Sequence, residues 1–112
     1  MIKILTKIDG INNVLENNNL LEIEFEKNNI IKIFNEFRDN TELNFNQLLD
    51  ITAVDYPSRE FRFDLIYILQ SLTKNKKIIL KTFIKENENI ESITNIHKSA
   101  DWYERECYDL FG

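Results

Sequence analysis

Asp101, Glu104, Arg105, Glu106 and Asp109 crowd together near the end of the chain, interleaved with Trp102, Tyr103, Tyr108 and Phe111. Carboxylates at this density suggest acid–base chemistry, because cleaving a glycosidic bond takes two of them on either side of the bond. On a helix, however, Glu104 and Glu106 stand two positions apart, point in different directions and cannot flank one bond. Asp101 to Arg105 and Arg105 to Asp109 are each i, i+4, so one guanidinium can reach carboxylates above and below it. As exposed pairs these contribute only about 0.3–0.5 kcal/mol each. The aromatics are spread around the helix and exceed what one core-facing stripe needs. A second protein surface accounts for them, since aromatics and arginine are the usual interface anchors.

Other chemistry is thinly supplied. His97 is the only histidine, and with no nitrogen or thiol ligand near it in sequence it is expected to make a hydrogen bond or start a helix, not to hold a metal. Cys107 is the only cysteine; it cannot form an internal disulfide or supply the four thiolates of an iron–sulfur cluster. Its place four residues after Tyr103 predicts a buried, inert thiol. The chain has no glycine-rich phosphate loop, no Ser/His/Asp arrangement and no paired cysteines, so it is not expected to handle nucleotide, flavin or electrons by itself.

The 112 residues fit one domain, 1–112, and their 43% hydrophobic and 29% charged content is that of a packed globule. The formal charge is −5, with lysines and arginines scattered, so no basic stripe exists to neutralise a nucleic-acid backbone. Apolar runs such as Leu65-Ile66-Tyr67-Ile68-Leu69 fall far short of the ~20 residues a membrane-spanning helix requires. The first residues show no long apolar core with a small-residue cleavage site, so an export signal is not expected.

Periodicity gives the elements that would position these residues. Ile4, Ile8, Ile11 and Leu15 recur at helical spacing and predict a helix, weakened by Gly10. Leu21, Ile23 and Phe25 alternate with Glu22, Glu24 and Glu26 as a half-buried strand does. Asn28 or Asn29 would cap a helix burying Ile30, Ile33, Phe34 and Phe37, ended by Arg38-Asp39-Asn40. A segment from Phe45 to Val54, a turn at Asp55-Tyr56-Pro57-Ser58 and a long strand carrying Phe61, Phe63, Leu65, Tyr67 and Leu69 on one face, with Arg62 and Asp64 on the other, predict a hairpin. Lys74-Asn75-Lys76 turns the chain into a strand from Ile78 to Ile84, which completes an antiparallel meander. Ser99 would cap the final helix, with Asp101 near its positive end. The expected fold is α+β, an antiparallel or mixed sheet of about four strands with helices packed on it.

The run Glu104-Arg105-Glu106-x-x-Asp109-Leu110-Phe111-Gly112 resembles the signature of the C-type, thirty-kilodalton subunit of NADH:quinone oxidoreductase, respiratory complex I. Asp50-Ile51-Thr52-Ala53-Val54-Asp55-Tyr56-Pro57, followed by Arg59-Glu60-Phe61-Arg62-Phe63 and the Tyr67 strand, is similar to the family's central segment. Ser92-Ile93-Thr94 and Ser99-Ala100-Asp101-Trp102-Tyr103 are similar to the approach to its signature, so the resemblance runs from about Leu20 to Gly112. It implies a redox-inactive component of the peripheral arm, without a membrane span of its own. Its partners would be the D-type, forty-nine-kilodalton subunit beside it and the B-type, cluster-bearing subunit nearby. It would lie on the cytoplasmic face of a bacterial inner membrane or the matrix face of a mitochondrial one. NAD, FMN, iron–sulfur clusters and quinone would then be bound by partner subunits and none by this chain. The implied signature and interface residues are Trp102, Tyr103, Glu104, Arg105, Glu106, Asp109, Phe111, Asp55 and Arg62. The family signature continues beyond the counterpart of Gly112, which leads to the expectation that the chain alone is marginally stable or self-associates. A homologous subunit of an energy-converting hydrogenase or other ferredoxin-linked complex, or a freestanding α+β interaction module, are the alternatives.

Overall fold

Alternation decides the sheet. In the computed structural model, which describes Leu5, residues 7–17 and residues 20–111, the Leu20–Phe25 segment forms strand β2, with Ile23 and Phe25 buried and Glu22 and Glu24 on the other face. A 3-10 turn at Lys27–Asn29 leads into helix α1, Ile30–Asp39, whose Ile30, Ile33, Phe34 and Phe37 are all buried. That spacing puts the four side chains on one stripe, each worth about 1.5–3 kcal/mol when removed from water. Asn29 holds the capping position of α1 but makes no side-chain capping bond.

Strands β3 (Gln47–Asp55), β4 (Phe63–Ser71) and β5 (Lys76–Ile84) form the expected antiparallel meander. Asn75 makes the β4–β5 turn with φ +52°, a left-handed conformation asparagine tolerates better than most residues. Phe61 does not join the strand face predicted for it: β4 begins at Phe63, and Phe61 is exposed in the β3–β4 loop.

From Ile11 onward the predicted first helix is a strand. Ile11–Asn17 forms β1, antiparallel to β2, with Val14 opposite Ile23 and Leu15 opposite Glu22; Ile4 lies outside the described residues. Gly10 turns the chain at φ +93°, and a Cβ there would come within 2.6 Å of the Asn29 Cβ. The asparagine-rich segment has little intrinsic helix preference, and pairing with the open side of β2 outweighs it.

The five strands are ordered β1-β2-β5-β4-β3, and β2 lies parallel to β5 through Leu21–Ile78 and Ile23–Leu80. This is a mixed sheet in an α+β fold with one strand more than expected. Ile23, Phe25, Leu65, Tyr67 and Leu80 share one buried cluster with α1. At its centre the Phe34 ring meets Tyr67 edge-on at 4.9 Å and Phe25 at 6.0 Å, contacts adding about 0.5–1.5 kcal/mol each. Helix α2, Ala100–Phe111, packs against β3 and joins the same cluster through Ala100 and Cys107.

Candidate functional site

Helix α2 has two unlike faces. Ala100, Glu104 and Cys107 are buried and Tyr103 packs against the core, the i, i+3, i+4, i+7 set of one stripe. Asp101, Trp102, Arg105 and Glu106 are exposed, Trp102 at 64% of its area. Glu104 and Glu106 therefore part to opposite sides. The side chains of Tyr108, Asp109 and Phe111 lie outside those described, and with them the expected Arg105–Asp109 pair. Arg105 forms an ion pair with Asp101 at 3.3 Å, with both side chains largely in water.

Glu104 is the surprise of the run, because its carboxylate is 6% exposed. One oxygen accepts from Ser92 Oγ at 2.7 Å and Thr94 Oγ1 at 3.4 Å, and the other accepts the Ile93 backbone N–H at 3.0 Å. A buried carboxylate is tolerated only with partners of this kind. The segment continues through His97, whose backbone N–H donates to Ile93 O at 2.9 Å and whose carbonyl receives the Ala100 N–H at 3.0 Å. The His97 ring is buried edge-on to Phe34 at 6.2 Å. Ser99 precedes α2 as predicted, but its hydroxyl donates at 3.5 Å to Leu48 O on β3.

Cys107 is buried as expected. Burial first, then the charges of Asp50 and Glu104, push its thiol above the ordinary range, which suppresses the reactive thiolate. It lines a cleft of about 820 Å³ between α2 and the ends of the central strands. At the rim Arg62 donates to both oxygens of Asp55, at 2.7 and 2.9 Å, and its other nitrogen approaches Glu86 at 3.3 Å. The Asp55–Arg62 fork and the Tyr56 N–H bond to Arg62 O at 2.7 Å close the base of the β3–β4 loop. These two residues thus bind each other within the chain. The Arg62 hydrogen bonds hold the Asp55 carboxyl below its usual range.

The described part of the signature, the clasp on Ser92–Thr94 and the Asp55–Arg62 loop all fall within residues 23–112, which match the sequence pattern of the respiratory-chain NADH dehydrogenase 30 Kd subunit. The chain belongs to that family. It is 40% identical over 92 residues to the C-type NADH-quinone oxidoreductase subunit of Ruegeria pomeroyi, covering 82% of this chain and 46% of that protein. It is 43% identical over 83 residues to the mitochondrial NADH-ubiquinone oxidoreductase 30.4 kDa subunit of Neurospora crassa, covering 74% of this chain and 29% of that one. The chain thus spans less than half the length of these relatives. Its fold also matches a chain of the archaeal membrane-bound sulfane sulfur reductase, a respiratory membrane complex, with TM-score 0.84 and 26% identity over 98% of this chain and 64% of that one.

Within the 30 Kd family frame, one cluster joins Tyr56 and Arg59 of the central segment to Asp64, Lys81 and Glu22. Asp64 is buried, yet it faces away from Leu65 and Tyr67; it pairs with Arg59 and lies 3.4 Å from Lys81, which in turn reaches Glu22 at 3.1 Å. Arg59 also lies over the Tyr56 ring at 4.0 Å. Burial pulls Lys81 down, but the hydrogen bond and charge of Glu22 and the charge of Asp64 outweigh it and raise its pKa. An acid at a strand position between apolar residues was the available signal. Among the described residues, no three of His, Cys, Asp and Glu gather as a metal-ligand group.

Proposed function

We propose that this chain is a redox-inactive, architectural component of a proton-pumping NADH:quinone oxidoreductase. It docks in the peripheral arm beside the D-type, forty-nine-kilodalton subunit and near the B-type, cluster-bearing one, through the outer face of α2. The observation that carries this is the division of the signature helix: Glu104 and Cys107 fix it to the body, while Trp102 and Arg105 are largely exposed to water. A tryptophan and an arginine projecting side by side from an anchored helix are the usual core of a protein–protein contact. The sole cysteine and sole histidine are both buried, so the residues that could hold a redox centre are occupied in the core. NAD, FMN, iron–sulfur clusters and quinone would reside in the partner subunits, with this chain supporting their assembly and electron transfer on the cytoplasmic or matrix side of the membrane. No helix among the described residues is long and apolar enough to cross a bilayer.

Replacing Arg105 or Trp102 by alanine in the parent complex tests the docking face. Removing one member of a desolvated interfacial charge pair costs ~2–5 kcal/mol, against well under 1 for an exposed pair. The expected outcome is much less assembled complex, with unchanged quinone affinity in whatever complex survives. Normal assembly of both variants would return α2 to a solvated helix.

The likeness to the sulfane sulfur reductase chain favours a second reading, a homologous subunit of a respiratory complex with a different electron donor. Copurifying subunits separate the two: NADH- and flavin-binding partners support the first, and their absence from an intact complex supports the second.

A further inference from the structure

We propose that His97 and the connector around it form a pH-sensitive latch on α1 that tethers α2 through Glu104, closed when the imidazole is neutral and opened by its protonation. The latch has two attachment points. Glu104 grips Ser92, Ile93 and Thr94 at one end. At the other, His97 inserts its ring beside Phe34 of α1, while Arg38, one turn further along α1, donates to Ile96 O at 3.3 Å. The imidazole is 5% exposed, and its Nε2 has no hydrogen-bond partner among the described residues. Such a nitrogen already carries a desolvation cost while the ring is neutral and a considerably larger one once it is charged.

Among the described residues, no carboxylate acts on the ring to answer the added charge. The charged group that acts on the ring from α1 is Arg38, of the same sign, and Asp39 is already engaged by that guanidinium at 2.8 and 3.2 Å. On α2, Glu104 is committed to the connector and Asp101 to Arg105; Lys98 in the connector itself is exposed and cationic. Burial first, then the Arg38 charge, hold the His97 pKa below its ordinary 6.5. The detached connector therefore takes up a proton before the docked one does. Docking is at full strength above about pH 6.5 and weakens as pH falls toward the docked-state value, by up to about tenfold per unit. Opening would change how the outer face of α2 is presented; that consequence rests on the docking function proposed above, whereas the latch itself does not.

Hydrogen exchange of the 112-residue chain between pH 5 and 8, corrected for intrinsic exchange rates, tests the latch directly. The expected result is an α2 opening constant that rises several-fold per pH unit below 6.5, a smaller change in β4, and a flat α2 profile in His97→Gln. A flat profile in the unmodified chain, an equal rise in β4, or an unchanged slope in His97→Gln would overturn it. NMR titration of the lone histidine in the unmodified chain keeps the test decisive if the variant fails to fold: a midpoint below 6.5 supports the latch, and one at or above 6.5 overturns it. Both measurements leave the docking proposal to stand or fall on the Arg105 and Trp102 variants.

Discussion

Glu104 accepts the backbone N–H of Ile93 at 3.0 Å, across eleven residues of sequence, and so ties the terminal helix to the segment that leads into it. The first glutamate of the Glu-Arg-Glu run is thereby an internal fastener, while the second, Glu106, is exposed. Glu104→Ala leaves a buried N–H and two hydroxyls without their acceptor and should destabilise the chain by about 1–3 kcal/mol. Glu106→Ala should stay within about 0.5 kcal/mol of the parent. Urea denaturation of both variants checks this, and equal midpoints would remove the clasp.

Asp64 stands between two cations, Arg59 and Lys81. Its replacement by alanine leaves them facing each other across a desolvated position. The partial exposure of Arg59 reduces the penalty from that of a fully buried pair to about 2 kcal/mol. A double-mutant cycle of Asp64→Ala with Arg59→Ala should show clear coupling, and strictly additive losses would mean that the pair contributes nothing.

The Cys107 thiol should resist modification in the folded chain. Burial raises its pKa above the ordinary 9.0 and also blocks access, so the thiolate fraction at pH 8 is small and sheltered. A disulfide reagent such as DTNB should react slowly with native protein and rapidly in denaturant. Fast, stoichiometric reaction under native conditions would place the thiol at an open surface.

Local chemistry made most of the fold legible. The alternation around Ile23, the four-residue stripe of α1 and the turn residues at Pro57 and Asn75 each express a preference fixed within a few residues of chain. Ile11 and Leu15 misled because a four-residue spacing is compatible with a strand as well as a helix, and only the open side of β2 decided between them. The parallel pairing of β2 with β5 was likewise invisible, since it joins segments separated by a helix and two strands.

The family and the chemistry of the terminal helix followed from sequence by itself: the order of acids, arginine and aromatics, and their period along the helix, are properties of the chain. What the tertiary structure alone decided is which member of that run faces which way. Glu104 is internal because Ser92, Ile93 and Thr94 fold back to meet it. Asp55 and Arg62 are a pair within the chain because the β3–β4 hairpin brings its two ends together. The His97 Nε2 is without a hydrogen-bond partner among the described residues because α1 sets Phe34 and Arg38 beside the ring, and its Asp39 is held by Arg38. Burial and partnership depend on segments distant in sequence, and a residue's type and spacing carry no record of them until the chain has closed on itself.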